Sequence, residues 1–276
     1  MSSVFRLTGA DFTGRGLPNI FPFVAKADLE YAFDFRNRST RLSDLTGKHI
    51  ITPKRVEPVA GIINVTDPTV VTTAADGLGI NVEMGYLQLN LPLASIPVNG
   101  SKQFTVMVVG GWSGIAEPPA KLNANAGTVI LFDYGSHITD GGFAIESTGT
   151  STSTAVNVRI ESGSSGMIAP TTPVTKKNVT FLTFDGTNWR FICKTQGLTY
   201  SGTNTSLGIT GNPITINPGN YSNGMVSLGG QVHQTTTIFG ATPTLYQHGM
   251  WNRVLTDAEI ESQYQQTKLN FAVVGV

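Results

Sequence analysis

Along most of this chain apolar and polar residues alternate at every second position, and a period of two predicts strands. Residues 29–35, LEYAFDF, set Leu29, Tyr31, Phe33 and Phe35 against Glu30, Ala32 and Asp34, so one face is expected to be buried and the other wet. Further candidates are YLQLNLPL at 86–93, QFTVMVVGGW at 103–112, GTVILFDYG at 127–135, GGFAIES at 141–147 and AVNVRIES at 155–162. The run at 103–112 is rich in the β-branched residues that suit a pleated surface. NVTFLTFDGTNWRFICKTQ at 178–196 reads as a hairpin, two strands joined around Asp185-Gly186, a pair suited to a tight turn. SLGG from Ser227 and TTTIFGATPTLYQHGMW at 235–251 supply the last sheet segments.

The pattern changes near the end, where one helix is over-specified. Thr256 can serve as N-cap and Glu259, three residues on, can close a capping box. Leu255 before the cap and Ile260 in the first turns are placed as a hydrophobic staple, and Asp257 puts negative charge where the helix dipole favours it. Roughly a dozen strands at short spacing with one terminal helix indicate an all-β antiparallel sandwich.

The closing segment carries a family resemblance in Trp251, Asn252, Arg253, Leu255, Thr256, Asp257, Ala258, Glu259, Ile260 and Tyr264. An aromatic-Asn-Arg at a strand end, a Leu, then Ser/Thr-Asp-Ala-Glu-Ile and a Tyr resembles the ending of concanavalin A-like jelly rolls of the laminin-G-like type. Trp251 stands where the family more often has Tyr. LEYAFDF and NRSTRLSDLTGKH after it are similar to that family's first strand and following connection. The resemblance implies a jelly roll over residues 28–276. It does not fix a function, because that fold hosts lectins, adhesion modules, glycanases and structural parts of assemblies.

Residues 1–27 differ from the rest. Gly9, Gly14, Gly16, Pro18 and Pro22 break any regular element, while Phe12, Leu17, Ile20, Phe21 and Phe23 are interleaved with them. This stretch is expected to be an extended N-terminal arm, packed on its own domain or on a neighbour. Its phrase TGADFTGRGLP resembles the opening of some tailed-phage structural proteins, and that resemblance implies attachment to a virion.

Charge narrows the partners. The 18 basic and 18 acidic residues cancel, so nothing calls for nucleic acid. Only 13% of residues are charged, against roughly 25% in ordinary soluble domains, which suits a homo-oligomer within an assembly, a trimer being one candidate order. The single cysteine, Cys193, lies in an apolar strand and is expected to be a buried free thiol. Met1 is followed by neither a basic segment nor a long apolar one. A cytoplasmic product without a secretory signal, released within a virion and not inserted in a membrane, is therefore the expectation.

Candidate chemistry is sparse. Glu30 and Asp34 have the four-residue spacing of a same-face carboxylate pair, which jelly-roll glycanases use, but they fall on the first strand and read as solvated side chains. The four histidines, His49, His137, His233 and His248, read as hydrogen-bonded surface groups, and no Ser occupies a G-x-S-x-G elbow. Asp133, Asp140 and Asp185 are loop-end carboxylates of the kind calcium uses, yet three separated aspartates do not make a site, and no cofactor is expected. Sugars are held by aromatic faces with polar groups fixing the hydroxyls. Tyr134, Tyr200 and Tyr221 lie in Gly-rich surroundings and are the glycan-binding candidates, with Trp189 a fourth that alternates with Phe191. Trp112 and Trp251 are expected in the core. The sequence thus predicts a non-enzymatic virion protein of a tailed phage, in tail fibre, baseplate or capsid surface, that contacts other virion proteins through its arm and host-surface polysaccharide through its sandwich. The alternative is a stand-alone bacterial glycan-binding module or jelly-roll glycanase.

Overall fold

The computed structural model describes residues 21–36, 39–55, 65–83, 85–92, 103–112, 128–134, 142–149, 154–161, 166–168, 177–206, 225–230 and 242–271. Two antiparallel sheets face each other. Sheet 1 is built on β7 (Phe104–Trp112), β12 (Lys177–Phe184), β13 (Asn188–Cys193), β14 (Leu198–Thr203) and β16 (Pro243–Trp251), with the short β4 (Val71–Thr73) and β5 (Ile80–Val82) at one edge. Its order is β14-β13-β12-β7-β16-β5-β4, and β1 (Leu29–Asp34) also pairs with β16. Sheet 2 joins β2 (Ile51–Arg55), β3 (Val65–Thr66), β6 (Gly85–Pro92), β8 (Thr128–Tyr134), β9 (Gly142–Gly149), β10 (Thr154–Glu161), β11 (Gly166–Ile168) and β15 (Met225–Leu228) in the order β11-β10-β9-β8-β15-β6-β2-β3. Neighbours far apart in sequence, such as β7 with β16 or β15 with β6, are the crossovers of a jelly roll. One helix, α1 (Asp257–Asn270), follows β16.

Side-chain alternation fills two apolar clusters. Between the sheets lie Tyr31, Phe33 and Phe35, Phe104, Val106 and Val108 of β7, Leu87 and Leu89 of β6, and Phe143 with Trp189. Phe104 and Phe143 stack across the sandwich with centroids 4.8 Å apart, a separation that adds aromatic attraction to area burial. The second cluster is on the outer face of sheet 1. There Met107, Val109, Phe181, Ile192 and Trp251 are covered by Phe23, Leu255, Ile260 and Phe271. The centre of sheet 1, β7 and β16, is therefore buried on both faces, which is why β7 reads as a nearly unbroken apolar run.

The predicted hairpin forms as expected. β12 and β13 pair from Phe184↔Trp189 to Thr180↔Cys193. Gly186 takes φ 101°, and the Asp185 carboxylate accepts from Thr187 N and Asn188 N, holding the turn from inside. The helix start also follows its sequence. Thr256 Oγ1 accepts from Glu259 N, Glu259 Oε2 accepts from Thr256 N at 2.9 Å, and Leu255 and Ile260 are both buried. Trp251 is in the core, as expected. The Trp112 side chain lies outside the described residues.

One alternation differs from the sequence pattern. Tyr31, Phe33 and Phe35 face the other sheet, but Leu29 belongs to the outer cluster. The register of β1 on β16 shifts between Leu29 and Tyr31, and such a bulge turns the side chains before it to the opposite face. Asp28, with φ 58°, leads into it.

Candidate functional site

Sheet 1 has little outer surface to offer, because residues 21–27 and α1 close it. The closure is pinned by side chains that take up the backbone of this segment. Gln263 accepts from Val24 N at 2.9 Å and donates to Pro22 O at 3.1 Å, acting as a strand edge would. Trp251 Nε1 donates to Ala25 O at 2.6 Å, and Asn252 N donates to Asp28 O at 2.8 Å. Phe23 is fully buried over Gly249, where a Cβ would come within 2.6 Å of its ring, and packs 5.9 Å from Trp251. Phe21 and Phe23 of the predicted arm thus pack on their own domain. Phe12, Leu17 and Ile20 lie outside the described residues.

Among the described residues sheet 2 carries no corresponding apolar cluster on its outer face, although Tyr86 and Ala144 there are fully buried. Its register lines up Thr52, Gln88, Ser227, Asp133, Ala144 and Arg159 across six strands. Thr52 and Gln88 are half-buried, Asn90 on the same strand is exposed, and Ser227 is buried with its hydroxyl donated to Gly230 O. Lys54, half-buried beside Tyr86 in the register, donates to Thr66 Oγ1 at 3.0 Å. Polar side chains of mixed donor and acceptor character on a sheet face are what hydroxyl-rich ligands use.

The aromatic candidates fare unevenly. Trp189 is fully buried, stacked on Phe184 at 4.3 Å, with Nε1 donating to Asn204 Oδ1. Its ring faces are consumed by the core, so it is not a stacking platform for a sugar: alternation with Phe191 points it inward. Tyr200, on β14 opposite Phe191, is half-buried and packs against the inter-sheet cluster. Tyr134 ends β8 in register with Val226 and Phe143; its side chain, and all of Tyr221, lie outside the described residues.

The acidic pair is not free. Glu30 lies 2.8 Å from His49 Nε2 and accepts from Asn252 Nδ2 at 2.7 Å, while Asp34 is paired with Arg36 through both its oxygens. Each carboxylate holds its own neighbours. Sequence reading missed the better-built carboxylate, Asp44. It is buried and accepts from Ala32 N, Thr46 N, Thr46 Oγ1, Lys48 N and His49 N, fixing the loop between β1 and β2. The Ser-Asp-x-Thr-Gly composition of that loop was its only signal.

Of the calcium candidates, Asp185 has both oxygens engaged by its turn, one of them by Asn188 Nδ2 at 2.9 Å. Asp140 and the Asp133 side chain lie outside the described residues, and among those described no three His, Cys, Asp or Glu gather as metal ligands. Cys193 is a buried free thiol, pushed up to about 11 by burial, donating weakly to Asn178 Oδ1. It is held in the unreactive form. The histidines depart from expectation. His49 is hydrogen-bonded, but His248 is fully buried and neither ring nitrogen has a partner among the described residues. A second bulge, between Leu245 and Gln247 of β16, turns it inward. His137 and His233 lie outside the described residues. Among the described residues no helix is long and apolar enough to cross a membrane.

No protein-family description and no curated relative matches this chain. Solved structures do. The chain is similar to domain 4 of AbnA, a GH43 extracellular arabinanase from Geobacillus stearothermophilus, in complex with arabinotriose, at TM-score 0.50 and 14% identity, over 86% of this chain and 98% of that one. It is similar to the botulinum neurotoxin type G receptor-binding domain at TM-score 0.52 and 12% identity, over 87% of this chain and 52% of that one. Trypanosoma rangeli sialidase is similar at TM-score 0.51 and 15% identity, over 90% of this chain and 34% of that one. The chain thus spans about half of the neurotoxin domain's chain and a third of the sialidase's. At these identities the likeness establishes the shared sandwich fold.

Proposed function

We propose that this protein is a non-catalytic carbohydrate-binding sandwich that presents the outer face of sheet 2 to a host-surface polysaccharide. The observation that carries the reading is the asymmetry of the two sheets: the outer face of sheet 1 is closed by residues 21–27 and α1, whereas on sheet 2 the half-buried Thr52 and Gln88 and the exposed Asn90 form a polar edge beside the buried Tyr86, Ser227 and Ala144. The likeness to an arabinanase domain in complex with arabinotriose supports a saccharide as ligand. A non-catalytic role agrees with Glu30 being hydrogen-bonded with His49 and Asn252 and Asp34 being paired with Arg36. The carrier we propose is a tailed-phage virion, in which the domain is a homo-oligomer joined to other virion proteins through residues 1–20. The low charge of the chain and the phrase TGADFTGRGLP support that part.

The test is binding of purified, labelled protein to bacterial cells with and without surface polysaccharide, for wild type and for Thr52→Ala/Gln88→Ala. Polysaccharide-dependent binding weakened about tenfold or more in the double variant supports the sheet 2 reading. Absence of binding by folded protein overturns the carbohydrate role, and leaves a bracing part. The second reading, a module of a bacterial glycanase, is favoured by the arabinanase likeness alone. Deleting residues 1–20 separates the two: a virion part loses incorporation into particles, whereas a module keeps its sugar binding and has no particle to lose.

A further inference from the structure

His248 is the residue least well served by its surroundings. Its ring is enclosed between the sheets, stacked on Tyr31 with centroids 5.5 Å apart at 21° and tilted against Phe132 at 5.2 Å. Among the described residues neither buried ring nitrogen has a hydrogen-bond partner, and nor has the Tyr31 hydroxyl. A polar group that gives up water and gains no partner costs stability. A phenylalanine could fill the same aromatic slot without that cost. The position is also central, since β16 carries β7 on one side and both β1 and β5 on the other.

Among the described residues the groups around it give a proton no counter-ion. From β1 comes Tyr31 itself. Beyond Tyr31 stands His49, edge-on to it at 6.4 Å, and the charges of Asp44 and Glu30 are felt at Tyr31. His49 is already hydrogen-bonded to Glu30, and Asp44 is saturated by its own loop. β7 sets Val108 opposite His248, and β8 contributes Phe132. Among the described residues no carboxylate is bonded to the imidazole.

We propose that His248, held between Tyr31 of its own sheet and Phe132 of sheet 2, is an acid-sensitive latch between the two sheets, closed only while the imidazole is neutral and released when it takes up a proton. Burial alone holds the imidazole down to about 3, against an ordinary 6.5. The unfolded or opened chain therefore binds a proton below about 6.5 that the closed sandwich refuses until about 3. Within that window the closed state loses a factor of about ten in its equilibrium constant for each pH unit of acidification, and above it the latch has no pH dependence.

Urea unfolding of the full-length protein between pH 8 and pH 4, for wild type and His248→Phe, tests this. The ratio of the two folding constants should be flat above about pH 6.5 and then fall about tenfold per unit against the wild type. A ratio constant over the whole range overturns the latch. A further measurement holds even where His248→Phe fails to fold. Imidazole resonances of the wild type followed by NMR should show His248 staying neutral in the folded protein down to about pH 4.5, and a folded-state titration near 6.5 overturns the proposal.

Discussion

The two apolar clusters are of similar substance but are closed by different means. Between the sheets, side chains from paired strands meet, the backbone is satisfied by the ladders, and shape does nearly all the work. On the outer face of sheet 1 the cover is a segment without strand pairing, so its backbone groups need partners from elsewhere. Gln263, Trp251 and Asn252 provide them. The inter-sheet cluster is thus a product of periodicity, and the outer one of a few long-range polar pins. The pins also bring residues 22–28 against residues 251–263, binding the two ends of the described chain into one unit.

The largest effect should come from testing whether the outer cluster is a true core. Phe23→Ala removes a fully buried ring near the start of the chain and is expected to cost about 3–5 kcal/mol, as much as Phe143→Ala between the sheets. Urea midpoints decide it. A Phe23→Ala loss below about 1 kcal/mol would make the cover a loose coat and break the comparison.

Next come the two buried tryptophans, one per cluster. Trp251→Phe leaves the buried Ala25 carbonyl without its donor, whereas Trp189→Phe leaves the half-buried Asn204 side chain, which can turn to water. The first should therefore exceed the second by about 1–3 kcal/mol, the cost of an orphaned buried acceptor. Equal losses would mean that packing governs both clusters. Gln263→Ala sharpens the same point. It strips both pins from Pro22 and Val24, and about 1–3 kcal/mol should be lost. Hydrogen exchange at Val24 should quicken in that variant while the β12–β13 hairpin stays protected.

What the sequence revealed follows the same division. The inter-sheet cluster was legible because alternation is local: Tyr31, Phe33 and Phe35 fell on the predicted face, and the hairpin turned at Asp185-Gly186. The capping box was legible because all its parts lie within a few residues. Bulges were not, since one extra residue leaves no mark on composition, and two of them moved Leu29 outward and His248 inward. The pins were not, because Gln263 and Pro22 are neighbours only in space. As for the site, Trp189 read from sequence as a glycan candidate because it follows a turn, yet its ring completes the core. The polar register of sheet 2 depends on strand order, which one-dimensional patterning does not contain.

Acid offers the finest distinction between the clusters, because a titrating group with its own window lies within the first and another beside the second. At the start of the helix that covers the outer one, the hydrogen bonds from Arg253 and the Thr256 backbone draw Glu259 down to about 2, from an ordinary 4.5. A carboxylate depressed on folding contributes stability that is present above about pH 4.5 and is lost as pH falls toward 2. His248, a base depressed on folding, weakens the sandwich from about pH 6.5 downward. Glu259 is partly exposed, so its contribution is small and salt-sensitive. Glu259→Gln should leave the loss of stability between pH 6.5 and 4.5 unchanged and flatten only the loss below 4.5. Thr256→Ala, which costs about 1 kcal/mol as a lost cap, should act at every pH. Denaturant midpoints read against pH by far-ultraviolet circular dichroism provide both curves. A Glu259→Gln variant whose profile already departs from wild type above pH 5 would mean that the two clusters titrate as one, and that the pins transmit the state of the inter-sheet cluster to the helix.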